Sequence, residues 1–220
     1  MGTSNWQNIS YVIDLVRKLN PVSILDVGVG FGRWGILFRE FLEIWEHSKY
    51  DGKWERVIDG VEIYPDYIKD YHKYFYSNIY RQDALEFLRS TDKRYELINF
   101  GDVIEHFEKK QGEEILKLAL EKGKYVLATI PIGKHWPQGP TENPYEEHKS
   151  VWYNRDFLKY KHCKIKSFKD FTNRDFSVIL ISNEKIKYDK RFGKYFRSKN
   201  ILKHSLGLKK IVEGYENRKK

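Results

Sequence analysis

Apolar positions along this chain alternate between helical and extended spacing. Ile9, Val12, Ile13, Val16 and Leu19 recur three and four apart within residues 5 to 19, one stripe of an amphipathic helix, and Asn20-Pro21 stops it. An apolar run from Val22, broken only by Ser23, reads as a buried strand and gives way to glycines at 28, 30, 32 and 35. A helix from about Arg33 to Trp45 follows, burying Leu37, Phe38, Phe41 and Leu42, and residues 46 to 56 are a polar connection. The alternation continues with a strand at Val57 to Ile63, a tyrosine-rich helix at Tyr64 to Tyr76, a short strand at Ile79 to Arg81 and a helix over 84 to 90. Next come a strand at Tyr95 to Phe100, a helix from about Lys109 to Glu121, a strand at Lys124 to Ile130, a long loop over 131 to 150 and a helix at Val151 to Tyr160. Ile165 to Phe171 and Phe176 to Ser182 close the chain as an antiparallel pair. Strands alternating with helices predict an α/β fold with a mostly parallel sheet covered on both faces.

The first glycine turn, in Ile24-Leu-Asp-Val-Gly-Val-Gly-Phe-Gly-Arg-Trp-Gly35, is strand, tight turn and helix N-terminus in succession. Glycine there lets a ligand approach the backbone, and the helix N-terminus offers unpaired N–H groups to an anion. Gly30-x-Gly32-x-x-Gly35 also fits a dinucleotide fingerprint, but the surroundings differ. Asp26 at the strand end suits a ligand ammonium and would oppose a pyrophosphate. The next acidic strand-end residue, Glu62, comes 34 residues after Gly28 rather than the roughly 20 of a nicotinamide site.

With these residues in view the chain resembles the class I S-adenosylmethionine (SAM)-dependent methyltransferases over roughly residues 5 to 182. Leu-Asp-Val-Gly-Val-Gly-Phe-Gly matches the methionine end, Val-Glu-Ile-Tyr-Pro the ribose motif, and Gln82-Asp-Ala-Leu85 the adenine motif. The resemblance implies a doubly wound, Rossmann-like sheet of seven strands, the last antiparallel, with SAM across the carboxyl ends of the first strands. It assigns Asp26, Gly28, Gly30, Gly32, Glu62, Ile63, Asp83, Ala84 and Gly101 to the cofactor site. Glu62 would accept both ribose hydroxyls; Asp83 would accept from the adenine amino group, and it also reads as an N-cap. The first helix would lie as a lid over that site.

The segment after strand four, Gly101-Asp-Val-Ile-Glu-His-Phe107, carries the candidate chemistry. Methylating an oxygen requires removal of its proton, by a base or by a metal that lowers its pKa. Asp102, Glu105 and His106 stand three and four apart, so one turn of chain brings them together. The pattern resembles the acidic-x-x-Glu-His branch of the same family, which includes ubiquinone-pathway O-methyltransferases and small-RNA 3′-terminal 2′-O-methyltransferases. The RNA enzymes add a histidine from the segment after strand five, for which His148 is the candidate. The resemblance therefore implies a Mg²⁺ or Mn²⁺ site at Asp102, Glu105, His106 and His148. Without a metal, Asp102, His106 and His148 read as acid/base or positioning groups, and His135 as a loop-surface residue. The loop 131 to 150, with four of the six prolines, reads as a lid.

Composition adds compartment and partners. Cys163 is the only cysteine, which excludes an internal disulfide and suits a reducing compartment as a small apolar strand residue. No apolar run approaches the roughly 20 residues of a membrane span. The N-terminal residues lack a signal-peptide pattern, and Trp6 stands where a myristoylation site needs Ser or Thr, so a cytoplasmic protein is expected. Residues 184 to 220 hold 13 Lys+Arg against 4 Asp+Glu, while residues 1 to 183 balance at 27 of each; the entire +9 belongs to the tail. Two parts follow: a methyltransferase domain at 1 to 183 and a basic aromatic tail at 184 to 220. The tail, interleaving lysine and arginine with Tyr188, Phe192, Tyr195 and Phe196, suits RNA or an anionic membrane surface, and equally a helix or subunit contact through Leu208, Ile211, Val212 and Tyr215. The expected activity is O-methylation of a small or carbohydrate-like acceptor, the alternatives being RNA 2′-O-methylation and a SAM-binding, non-catalytic partner subunit.

Overall fold

A computed structural model describes residues 5–45, 48, 50–136 and 142–189. Seven strands form one sheet in the order β3-β2-β1-β4-β5-β7-β6. They are β1 (Ser23–Val27), β2 (Val57–Val61), β3 (Asn78–Tyr80), β4 (Tyr95–Gly101), β5 (Gly123–Pro131), β6 (His162–Lys169) and β7 (Asp175–Ser182). The first five run parallel, and β7 inserts antiparallel between β5 and β6. The doubly wound sheet expected from the alternation is therefore present.

The interior strands read as apolar runs because both of their faces are buried. Leu25, Ile98, Phe100, Val126 and Ala128 face a core completed by α4 (Ala84–Ser90) and α5 (Lys109–Lys122). Ile24, Leu97 and Leu127 face the opposite core under α1 (Ile9–Leu19) and α2 (Arg33–Arg39). The α1 stripe packs on the sheet as its spacing predicts, but it is Asn5 and Trp6, ahead of the helix, that reach the cavity.

Two expected helices do not form. Tyr64 to Tyr76 holds a 3₁₀ turn at Pro65–Tyr67 and a single turn, α3 (His72–Phe75), with Ile68 extended between them. Pro65 opens the turn, and the backbone N–H of Lys69 then donates to His72 Nδ1 rather than to a helical carbonyl. Only His72 and Tyr76 of the second turn are buried, so no continuous apolar stripe supports a longer helix. Val151 to Tyr160 keeps only a 3₁₀ turn at Asn154–Phe157. Its flanking backbone is spent on tertiary bonds: Lys149 and Ser150 donate to the Glu105 carbonyl, and Gly133 donates to that of Trp152.

Past α2 the chain continues as a π-helical turn, Glu40–Ile44. Arg39, 1% exposed, donates to Glu43, equally buried, at 2.6 Å, and to the carbonyls of Phe75 and Arg56. Glu43 in turn accepts from the backbone of Glu55 and Arg56. This pair thus joins α2 to both chain segments flanking β2 and β3. At the other end of the chain, Ile186 and Tyr188 pack against the α1 core and Asp189 N–H donates to the Lys18 carbonyl, so residues 184 to 189 are fastened to the domain. The remainder of the basic tail, 190 to 220, lies outside the described residues. No helix among the described residues is long and apolar enough to cross a membrane.

Replacing Arg39 by alanine strands the Glu43 carboxylate in the interior. We expect a loss of about 3–5 kcal/mol in urea-unfolding free energy, against under 1 kcal/mol for breaking the exposed Lys73–Asp70 pair.

Candidate functional site

A cavity of about 530 Å³ opens at the carboxyl ends of β1, β2 and β4. Its wall brings together Gly28, Gly30, Glu62, Ile63, Asp83, Ala84 and Gly101 of the expected cofactor residues, and Asp102, Glu105, His106 and His148 of the expected chemistry. Two expected residues are not on it, Asp26 and Gly32.

Asp26 is fully buried beneath the turn. Its carboxylate accepts from Tyr76 Oη at 2.6 Å and Asn99 Nδ2 at 2.8 Å. Burial, with the nearby Glu62 charge, raises its pKa to about 7 against the lowering effect of these two donors. Asp26 therefore supports the turn from below and does not face a ligand ammonium. Tyr76 Oη also accepts from Gly35 N–H at 3.2 Å, which fixes the first turn of α2. Packing alone requires two of these glycines. Gly28 and Gly32 adopt φ of 75° and 87°, and a Cβ on them would meet Val103 at 2.4 Å and the His72 ring at 2.7 Å.

Glu62, 5% exposed, is held at the cavity wall by Gly30 N–H donating to Oε2 at 2.8 Å and Tyr64 N–H donating to Oε1 at 2.9 Å. The Ile63 N–H also bears on this carboxylate, and a carboxylate's roughly four lone-pair sites still leave capacity for a hydroxyl. Asp83 caps α4, its Oδ1 accepting from Leu85 and Glu86, so the cap leaves Oδ2 for another donor and the two expected roles are compatible.

At the other end stand Glu105, His106 and His148, with one potential ligand atom from each within 4.8 Å of the other two. His106 and His148 place their Nδ1 atoms 3.1 and 2.9 Å from the carbonyls of Glu147 and Trp136. A carbonyl can only accept, so each Nδ1 carries the proton and each Nε2 keeps its lone pair for a ligand. The rings meet edge to face at 5.0 Å. Burial lowers both imidazole pKa values, and His106 lowers that of His148 further. Glu105 is 1% exposed, and neither carboxylate oxygen accepts a hydrogen bond. Burial, then the Asp102 charge, holds its carboxyl well above the ordinary value. Two orphaned oxygens beside two imidazole lone pairs are what a divalent ion would satisfy. Asp102 was expected as a fourth member and falls outside the cluster. It accepts from Thr129 Oγ1 at 3.0 Å and sits at φ 55°, the left-handed region that Asp tolerates better than most residues.

The loop expected as a lid is tied down where it is described. Tyr67 Oη donates to Glu146 in a short bond, and Glu105 accepts from Lys149 and Ser150, which holds His148 between two anchors. Residues 137 to 141 of that loop lie outside the described residues. The sequence reading missed Arg33, Tyr67, Trp136, Glu146 and Phe171, all on the cavity wall. Tyr67, Trp136, Glu146 and Phe171 come from turns or loops with no periodicity to mark them, and Arg33 opens α2, where helical spacing does not say that its side chain reaches the cavity.

No protein-family model matches the sequence, and no curated protein matches it. Among solved structures the chain is similar to a SAM-dependent methyltransferase from Archaeoglobus fulgidus, with a TM-score of 0.54 and 18% identity over 79% of this chain and 94% of that one. It is similar to a putative O-methyltransferase from Klebsiella pneumoniae, with a TM-score of 0.54 and 13% identity over 80% of each chain. It also resembles the N-terminal domain of EvdMO1 with SAH bound, with a TM-score of 0.57 and 12% identity over 82% and 83%. At these identities the likeness is one of architecture: the chain has the class I SAM-dependent methyltransferase fold.

Because both histidines are depressed below the ordinary value of about 6.5, the unfolded chain takes up their protons first as pH falls. Stability should hold above pH 6.5 and decline below it, toward the lowered folded values. In an NMR titration the His106 and His148 ring protons should show midpoints below 6.5; midpoints above it would contradict the buried neutral tautomers.

Proposed function

We propose that this protein is a SAM-dependent O-methyltransferase acting on a small or carbohydrate-like acceptor, with a divalent ion held by Glu105, His106 and His148. The observation that carries the reading is one continuous cavity joining the glycine turn, Glu62 and Asp83 to that cluster. A pyrophosphate-bearing cofactor fits less well, since Glu62 places a buried carboxylate beside Gly30.

SAM supplies a methyl carbon made electrophilic by its sulfonium. An ion at the cluster would lower the pKa of the acceptor hydroxyl; imidazole donors favour Mn²⁺ over Mg²⁺ for that role. The chain's own work is positional. Gly28 and Gly30 let the methionine end lie against the backbone, Glu62 takes the ribose hydroxyls, and Asp83 with Ala84 receives the adenine. The acceptor oxygen takes the methyl as the carbon–sulfur bond breaks, and Asp102, on the cavity wall, takes the hydroxyl proton. Holding oxygen and methyl in line is worth about 7–11 kcal/mol in such displacements.

The same cluster serves a ribose 2′-hydroxyl, which keeps RNA 2′-O-methylation as a second reading. RNA affinity that falls steeply with salt and is lost on deleting 190 to 220 would favour it. SAM binding with no turnover on any acceptor would instead favour a non-catalytic partner subunit.

Calorimetric titration of SAM, with and without Mn²⁺, tests the proposal on wild type and His106→Ala. We expect SAM binding in both proteins and a Mn²⁺ heat in wild type alone. Absence of SAM binding sinks the methyltransferase reading; SAM binding with no Mn²⁺ effect removes the metal from it.

A further inference from the structure

The cavity does not end at the Glu105–His106–His148 cluster. It continues to Trp136 and to Phe171, which is 81% exposed on the turn between β6 and β7. A single exposed ring is ordinary, but this one stands on a rigid support. The carboxylate of Asp170 accepts from five donors, the N–H and hydroxyl of Thr172 and the N–H, Nε and Nη2 of Arg174. Arg174 then lies 3.9 Å over the Trp136 ring, whose Nε1–H donates to the Asp175 carbonyl at 2.7 Å. The carbonyl of Trp136 holds His148. The turn, the two rings and the candidate ligand histidine therefore form one connected wall.

Charge on the cavity wall narrows what this wall can receive. Arg33 feels the Asp102 charge, and the wall sets Arg33 and Lys149 against the carboxyl groups of Glu62, Asp83, Asp102, Glu105 and Glu146, so there is no surplus of cations for a phosphate. Asn143 and Gln111 add amides, which pair with hydroxyl groups. An apolar ring face beside carboxylates and amides suits a neutral ring with an apolar face and hydroxyl edges.

Resting on the O-methyltransferase reading, we propose that Phe171 and Trp136 form an acceptor subsite for a neutral sugar ring, which stacks on the exposed phenyl face and presents a hydroxyl toward Glu105, His106 and His148. Phe171 is a specificity residue here, in contact with the acceptor and not among the residues assigned to SAM.

The test uses the full chain saturated with S-adenosylhomocysteine, whose own affinity is measured first by calorimetry, so that failure of cofactor binding is separated from failure of the subsite. Methyl α-glucopyranoside, methyl α-galactopyranoside and methyl α-mannopyranoside are then titrated by saturation-transfer NMR, with uridine 5′-monophosphate as the charged comparator. We expect at least one glycoside to bind through its ring C–H face, Phe171→Ala to weaken it about tenfold or more, and Phe171→Trp to retain it. The ring is exposed, so both variants should fold and bind S-adenosylhomocysteine as wild type does. The proposal is overturned if no glycoside binds wild type, if Phe171→Ala leaves glycoside affinity unchanged, or if the nucleotide alone binds in a Phe171-dependent way.

Discussion

The buried carboxylate of Asp26 is the constraint on which the cofactor end depends. It sits at 0% exposure between β1, β4 and the end of α3, receiving Asn99 from one side and Tyr76 from the other. Because Tyr76 Oη also accepts from Gly35, this one carboxylate sets where α2 begins, and hence the path of the glycine turn. A buried polar group unpaired costs free energy, and a partly paired network costs more than an apolar one. The turn has consequently little latitude: moving it would break bonds that water cannot replace. Gly28 and Gly32 reinforce this, since Val103 and His72 occupy the space a Cβ would need.

The acceptor end is organised by a different anchor, the backbone carbonyl of Glu105. By accepting from both Lys149 and Ser150 it fastens the 142–150 segment to the loop after β4, and the His106–Glu147 bond adds a second tie. Tyr67 and Glu146 close the loop against the segment after β2, beside Glu62. Residues far apart in sequence are thus held largely by bonds to the main chain, which engage His106 and His148 only through Nδ1 and leave both carboxylate oxygens of Glu105 without a hydrogen bond. That division of labour is what lets a buried carboxylate stay without a partner: the fold around it is paid for by other bonds.

How much of this was legible follows from which interactions are local. The strands, the glycine turn and the Asp102, Glu105, His106 segment could be read because strand burial and short spacing are properties of neighbouring residues. His148 could be placed only through resemblance, and its convergence with Glu105 and His106 is tertiary. Asp26 was legible as important but misread in role, because strand alternation does not say which face carries a tyrosine partner 50 residues away. The helices expected over 64–76 and 151–160 are cut short for a common reason: backbone groups in or beside them are committed to the His72 ring and the Glu105 carbonyl, which local spacing does not reveal. Phe171 reads in the sequence as the end of a strand over 165 to 171, but β6 stops at Lys169 and leaves the ring exposed on the following turn, where it acquires meaning only from the cavity beside it.

The root of the basic tail bears on the acceptor as well. Asp189 N–H donates to the Lys18 carbonyl and Asn20 Nδ2 donates to Asp189, which puts the start of residues 190 to 220 at the amino ends of the strands. The cavity opens at their carboxyl ends, beyond the length of β1, roughly 16 Å at about 3.3 Å per residue. A polyanion attracted to the root of the tail is therefore drawn to the pole opposite the Glu105, His106 and His148 cluster. A single sugar ring at Phe171 needs only the wall that already holds His148. Among the described residues, the root of the tail at 184 to 189 contributes nothing to the cavity wall, which is built from the glycine turn, the strand ends and the loop that carries His148.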